Sequence, residues 1–172
     1  MSENDHEHSG CNCACPTNES DILVSQVEAQ TNLANFWIAR NRLDIAGTFL
    51  AQSKNLLDHS GATAVPARVW YLTSMCEVAS RQGEKQKAYD YSCEAFELAV
   101  AVFGADHPGT AITRCNLGEL SIDTGRVQEG VDLISSGLTV LRDPASVVGN
   151  FTADYLAGAV EGFSAVLERA KT

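Results

Sequence analysis

The stretch that decides the fold is residues 103–141, which read FGADHPGTAITRCNLGELSIDTGRVQEGVDLISSGLTVL. Its apolar residues recur every three or four positions on both sides of a turn at Asp123-Thr124-Gly125, which is the spacing of two amphipathic helices. Gly125 suits the end of the first helix because a residue without Cβ enters the left-handed conformation at low cost. One such hairpin cannot bury its apolar face alone, so we expect the chain to repeat it.

The landmarks of this hairpin recur upstream at a fixed interval. A distance of 42 residues separates Gly125 from Gly83, Gly83 from Asn41, and Pro108 from Pro66. Asparagine is the usual substitute for glycine in a left-handed helix cap. Small residues at Gly130, Ala88 and Ala46 keep the same interval, as do Gly137 and Ala95. The sequence therefore predicts three helical hairpins in residues 21–142, over about 22–60, 66–103 and 108–142.

Local signals predict how these helices begin and which faces they bury. Ser20-Asp21 is expected to cap the first helix, and Asp106 to cap the helix that starts near Pro108. The apolar positions of the first helix are Ile22, Leu23, Val27, Leu33, Phe36 and Trp37.

The repeat ends after Arg142. Residues 143–172 are predicted to form a C-terminal helix, from about 151 to 170, that covers the exposed end of the stack. The alternative is that its apolar side is a homodimer interface. Its apolar stripe is Phe151, Tyr155, Ala159, Phe163, Val166 and Ala170.

The composition limits the binding partners and the cellular location that we expect for the chain. The net charge is −10, whereas nucleic acids and anionic membranes attract cationic surfaces, so neither is an expected partner. No segment is long and apolar enough to span a bilayer. The N-terminal residues MSENDHEHSG lack the basic and apolar regions of a secretory signal, which favours a cytoplasmic location. Of the six cysteines, Cys76, Cys93 and Cys115 lie in helical patterns and are interpreted as small buried residues.

Residues 1–20 are interpreted as a disordered acidic tail, because Met1 is their only large apolar residue. Within the tail, HEHSGCNCAC places five soft donor side chains in ten residues: His6, His8, Cys11, Cys13 and Cys15. Thiolates suit Cu(I) or Zn, and a histidine could complete the site. Two other interpretations stay open, a redox-active or modifiable thiol cluster and an incidental polar tail.

The repeat resembles the tetratricopeptide family, in the longer variety found in kinesin light chains and many bacterial relatives. The residues that carry the resemblance are Leu117-Gly118, Gly125, Gly130 and the linker FGADHPGTA, and it covers roughly residues 22–142. It implies an all-α fold: a right-handed superhelical array of three tetratricopeptide-type hairpins plus the C-terminal capping helix.

The resemblance also implies a binding groove lined by the first helix of each hairpin. Asn32 and Asn116 match the family's asparagine that holds the backbone of an extended ligand, and Ser74 replaces it in the second hairpin. The acidic groove residues imply a basic or neutral partner segment, or else a solvated face. Trp70 is a candidate anchor or a core residue. The groove positions are Glu28, Thr31, Asn32, Asn35 and Ile38; Trp70, Thr73, Ser74, Glu77 and Arg81; Ile112, Cys115, Asn116, Glu119 and Asp123.

These features predict a non-enzymatic interaction protein: an adaptor, scaffold or chaperone that binds a peptide or partner segment and requires no cofactor. His107 belongs to the linker motif, and no nucleophile–base spacing or phosphate-binding loop accompanies it. One alternative is a metal-handling protein whose tail binds Cu(I) or Zn while the repeats dock the recipient. Another is self-assembly, as a homodimer through the ends of the stack.

Overall fold

The computed structural model describes residues 19–60 and 65–171, and most of these residues are helical. No strand forms in these ranges beyond a single antiparallel bridge between Val148 and Phe151. The helices pack as three antiparallel pairs in chain order, α1 with α2, α3 with α4 and α5 with α6. Their bounds are α1 Glu19–Ala39, α2 Leu43–Ser60, α3 Val65–Arg81, α4 Lys85–Phe103, α5 Pro108–Asp123, α6 Val127–Leu141 and α7 Ala153–Ala170, with a 3₁₀ turn at Pro144–Ser146. The prediction of an all-α repeat array is confirmed.

The three turns inside the hairpins have the same hydrogen bonds. In the third, the amide of Gly125 donates to the carbonyl of Ile122 (2.9 Å) and the amide of Arg126 to that of Ser121 (2.8 Å), which together form a Schellman motif. Bonds of the same spacing end α1 and α3. Asn41, Gly83 and Gly125 have φ values of 57°, 78° and 88°, so all three adopt the left-handed conformation that the 42-residue pattern predicts.

Small residues bring α5 and α6 into backbone contact. A Cβ placed on Gly118 would lie 2.6 Å from Cγ1 of Ile134 and 2.8 Å from the carbonyl oxygen of Gly130. A Cβ placed on Gly137 would likewise meet Sγ of Cys115 and the carbonyl oxygen of Ala111. The glycines of the third hairpin are therefore required by the distance between its two helices.

The core face of α1 differs from the predicted one. Val27, Ala34 and Ile38 are buried against α2 and α3, and Thr31 Oγ1 lies 3.3 Å from Ser53 Oγ on α2. The apolar pattern of α1 contains two adjacent stripes, and the smaller residues form the one that α2 covers. The prediction was wrong for three residues, Ile22 (44 % exposed), Leu33 (44 %) and Phe36 (46 %). Since α1 begins at Glu19, Ser20 and Asp21 are helical residues and not caps.

The helix α5 is capped by His107, not by Asp106 as predicted. Nδ1 of His107 accepts a hydrogen bond from the amide of Gly109 (3.0 Å), and Pro108 occupies the first helical position, where no amide donor is needed. His107 thus has the local backbone conformation and the acceptor that a helix start requires.

The C-terminal helix α7 packs on α6 and α5, with Thr152 as its N-cap. Its buried face is rotated relative to the predicted stripe. Leu156, Val166 and Leu167 are buried, whereas Tyr155 is 53 % exposed. Tyr155 instead lines the groove described below. Within the described residues, no helix has the length and apolar content needed to cross a membrane.

Candidate functional site

A groove runs along the first helices of the three hairpins, α1, α3 and α5. It has three adjacent sections, and Thr73 on α3 lines all of them. The first section, about 560 Å³, lies between α1, α3 and the turn before α7. The second, about 820 Å³, lies between α5 and α7, and the third, about 180 Å³, lies between α3 and α5. We call these the α1 section, the α7 section and the acidic section.

The α1 section collects most of the predicted residues of the first two hairpins: Asn32, Asn35, Trp70, Ser74 and Glu77. The Ser74 hydroxyl lies 2.7 Å from Asn35 Oδ1 and 3.0 Å from the carbonyl oxygen of Trp70, both acceptors. Because this contact uses the amide oxygen of Asn35, its NH₂ group remains available as a donor. Asn32 is exposed beside it, and its side chain forms no hydrogen bond within the described residues.

The acidic section holds the predicted residues of the third hairpin. Asn116, Glu119 and Asp123 lie one turn apart along α5, and Glu77 faces them from α3. The Asn116 side chain is half-buried and has no hydrogen-bond partner in the described part of the chain. Burial raises the pKa of the Glu119 carboxyl, and the nearby Asp123 raises it further. This end of the groove is therefore a place where a positive charge would be stabilised.

Arg81 has a different position from the other predicted groove residues. Its Nε lies 2.6 Å from Oε1 of Glu77, one helical turn away on α3. Arg81 is exposed and is not among the residues that line the three sections. Its contact with Glu77 offsets part of the negative charge at the boundary between the α1 and acidic sections.

Two of the implied groove positions belong to the core instead. Ile38 is 4 % exposed in the cluster that joins α1, α2 and α3, and Cys115 is fully buried opposite Gly137. Burial raises the pKa of the Cys115 thiol to about 12, and burial with nearby Glu77 does the same for Cys76. Both thiols are therefore un-ionised packing residues at neutral pH, as predicted. Cys93 is half-buried on α4, so its predicted burial is only partial.

The C-terminal part of the chain supplies groove residues that the sequence analysis missed. Asn150, Phe151 and Tyr155 line the α1 section, and Phe163 and Arg169 line the α7 section. From the sequence, the C-terminal helix was expected to cover the end of the stack or to form a homodimer interface, and not to line the groove. The available signal was the Gly149-Asn150 turn followed by two aromatic residues four apart, because such a pair needs a surface to pack on.

An aromatic cluster holds this segment in the groove. The ring of Phe151 lies 6.2 Å from that of Trp70 on α3 and 5.5 Å, edge-on, from that of His107. The ring of Phe103 stacks on both Trp70 and His107. Its centroid lies 5.9 Å from that of Trp70 and 4.9 Å from that of His107. Trp70 was interpreted from the sequence as either a core residue or a candidate anchor. It is half-buried, and it both packs in this cluster and lines the α1 section.

The candidate metal ligands His6, His8, Cys11, Cys13 and Cys15 lie outside the described residues. Within the described ranges, no group of three or more histidine, cysteine or acidic side chains is arranged to hold a metal ion. The metal site therefore stays a prediction from the sequence.

Comparison with known proteins supports the fold. No family model matches the chain, and no curated protein matches it. Among solved structures, the chain is similar to the crystal structure of BtubC (BKLC) from P. vanneervenii, with a TM-score of 0.60 and 18 % sequence identity. The match covers 92 % of this chain and 65 % of BtubC, so the chain spans about two-thirds of the length of that protein. This likeness and the paired helices support a tetratricopeptide-like helical-repeat fold.

Proposed function

We propose that this chain is a non-enzymatic protein-interaction module, an adaptor or scaffold that binds an extended segment of a partner protein along the groove. The observation that carries the proposal is the row of carboxamides at Asn32, Asn35 and Asn116, which line adjacent sections of the groove. A side-chain amide can both donate to and accept from a peptide bond, so it binds a backbone without regard to its side chains. The helical-repeat fold is consistent with this role.

The groove residues also define the chemistry of the partner segment. The α1 section offers Trp70, Ile112 and Phe151 to an apolar or aromatic side chain. The acidic section offers Glu119 and Asp123 to a lysine or arginine. A segment that carries an apolar residue and then a basic one would match both ends of the groove. A net charge of −10 favours the same kind of partner by long-range attraction.

The test is selection of peptides from a random display library on the folded chain, followed by affinity measurements on the selected sequences. We expect the selected peptides to combine apolar and basic residues. The double variant Asn32→Ala, Asn116→Ala should bind them about thirtyfold more weakly, because each lost hydrogen bond contributes about 1 kcal/mol. The matched control is Asn55→Ala on the exposed side of α2, which should leave the affinity unchanged.

Two results would count against the proposal. One is selected peptides that bind the double groove variant as tightly as the original chain. The other is a set of peptides whose affinity depends on Asn55 but not on the groove asparagines. Circular dichroism of each variant would establish that the helices are intact before affinities are compared.

A further inference from the structure

A row of side chains on α1 faces away from the stack. It comprises Ile22, Gln26, Ala29, Leu33, Phe36 and Arg40, which we call the α1 outer stripe, and every member is exposed. Three of the eight large hydrophobic residues that are exposed in the described chain lie on it: Ile22, Leu33 and Phe36. Single exposed apolar residues are ordinary on a protein surface, but a row of them along one helix marks an interaction surface.

The repeat itself shows that this row is a helix-packing surface. The residues 42 positions after Ala29, Leu33 and Phe36 are Tyr71, Met75 and Val78 on α3. All three belong to the apolar cluster that contains Ala46 and Leu50 of α2. On α5, Leu120 follows Val78 by another 42 residues and packs in the cluster that contains Ala88 of α4. In α3 and α5, the residues equivalent to Ala29, Leu33 and Phe36 are therefore covered by the second helix of the preceding hairpin.

For α1, no preceding helix exists within the described residues. Residues 1–18 contain a single large apolar residue, Met1, so their composition does not favour them as the partner of an apolar surface. A second copy of the chain is a stronger candidate to cover Leu33 and Phe36, because it carries the same apolar residues.

We propose that a second copy of this chain covers the stripe, through antiparallel packing of α1 on α1 about a two-fold axis. The stripe alternates steps of four and three residues, which is the spacing of a helix–helix seam. In an antiparallel pair centred at Thr31, Ala29 of one copy lies opposite Leu33 of the other. A small residue then meets a large one twice, so the two stripes interlock. An interface that uses the same patch on both copies closes as a dimer.

The charges at the two ends of α1 select the antiparallel arrangement. Asp21 lies near the beginning of the helix and Arg40 just after its end. Antiparallel packing places Asp21 of each copy near Arg40 of the other, whereas parallel packing would place like charges together. The Arg40 guanidinium lies 3.5 Å above the ring of Phe36, so it already sits on the stripe.

The test is the molar mass of the full chain in solution, measured by light scattering and sedimentation velocity over a wide range of concentration. We expect the wild-type chain to approach the mass of a dimer, and Leu33→Glu to halve that mass at the same concentration. The matched control is Val127→Glu, which changes a similarly exposed residue (43 %) on α6 and should leave the dimer intact.

A charge exchange tests the antiparallel arrangement and does not depend on the Leu33 variant. Asp21→Arg and Arg40→Glu should each weaken the dimer, and the chain with both changes should dimerise again, because the opposite charges meet once more with their signs reversed. A wild-type monomer at every concentration would overturn the proposal, as would a dimer that survives Leu33→Glu. Growth beyond a dimer would show head-to-tail assembly instead, and failure of the double exchange to restore the dimer would exclude the antiparallel pairing. These results are independent of whether the groove binds a partner.

Discussion

At the scale of the residue, Glu119 is the carboxylate of the groove whose environment differs most from water. Burial raises the pKa of its carboxyl, and Asp123 adds to the effect. The folded chain therefore binds a proton at this site more tightly than the unfolded chain does. It follows that the free energy of unfolding falls as the pH rises from the ordinary value of about 4.5 through the raised pKa of the folded state.

We expect Glu119→Gln to raise the free energy of unfolding at neutral pH, because it removes a charge that burial disfavours. The gain should disappear below the ordinary glutamate pKa, where the original side chain is already neutral. Denaturant unfolding at a series of pH values measures it, with Glu97→Gln on the exposed side of α4 as the control. A Gln variant that is less stable at neutral pH, or a difference that does not change with pH, would contradict the assignment.

For Asn116, the sequence identifies the residue, whereas only the structure shows the environment of its side chain. The family resemblance selects Asn116 from the sequence, as it does Asn32. Only the structure shows that its side chain is half-buried without a hydrogen-bond partner in the described chain, while Ser74 in the second hairpin is tied to Asn35. Burial and pairing depend on helices that lie more than thirty residues away, so the local sequence does not contain them.

At the scale of the element, the third hairpin depends on glycines that let α5 and α6 touch. We expect Gly118→Ala to lower the free energy of unfolding by about 1–3 kcal/mol, the usual cost of overpacking. The added Cβ would meet Ile134 and the backbone oxygen of Gly130, and backbone cannot move aside without shifting a helix.

The control for this prediction is a glycine in a helix with open space around it. A Cβ on Gly158 of α7 would meet nothing within 4 Å, so Gly158→Ala should raise the stability by about 0.5–1 kcal/mol through helix propensity alone. Thermal or denaturant unfolding of both variants makes the comparison. Equal effects of the same sign at the two positions would show that the α5–α6 contact is looser than the structure has it.

Helix faces were harder to predict than helix bounds. The turns at Asn41, Gly83 and Gly125 follow from local backbone chemistry, and the structure has them where the repeat predicts them. The buried face of α1 does not follow, because both stripes of the helix are apolar. The stripe that contains Ala34 is the buried one. It packs against α2 and α3, because the small side chain of Ala34 allows close approach.

At the scale of the whole molecule, the N-terminal cysteines and the helical stack are expected to be chemically separate. The buried thiols of Cys76 and Cys115 have pKa values raised to about 12, so they are poor metal ligands at neutral pH. If the tail binds a soft metal, native mass spectrometry with added Cu(I) or Zn should show a mass increment. The increment should vanish when Cys11, Cys13 and Cys15 are changed to serine.

The matched control for metal binding is Cys93→Ser, which changes a half-buried thiol on α4 and should leave the increment unaffected. Loss of the increment in this control, or its persistence in the triple serine variant, would place the metal elsewhere. No increment at all would leave the tail without a metal-binding role.

The sequence by itself determined the number of hairpins, their 42-residue register and the three left-handed turns, because these depend on which residue occupies a local backbone conformation. The family resemblance also identified most of the groove residues that α1, α3 and α5 contribute, but none of those that come from α7 and the turn before it. Only the tertiary structure decided which face of α1 and α7 is buried, that His107 caps α5, and that Phe151 packs on Trp70 inside the groove. Those outcomes depend on the distance and angle between helices far apart in the chain, and the apolar pattern of one helix does not specify them.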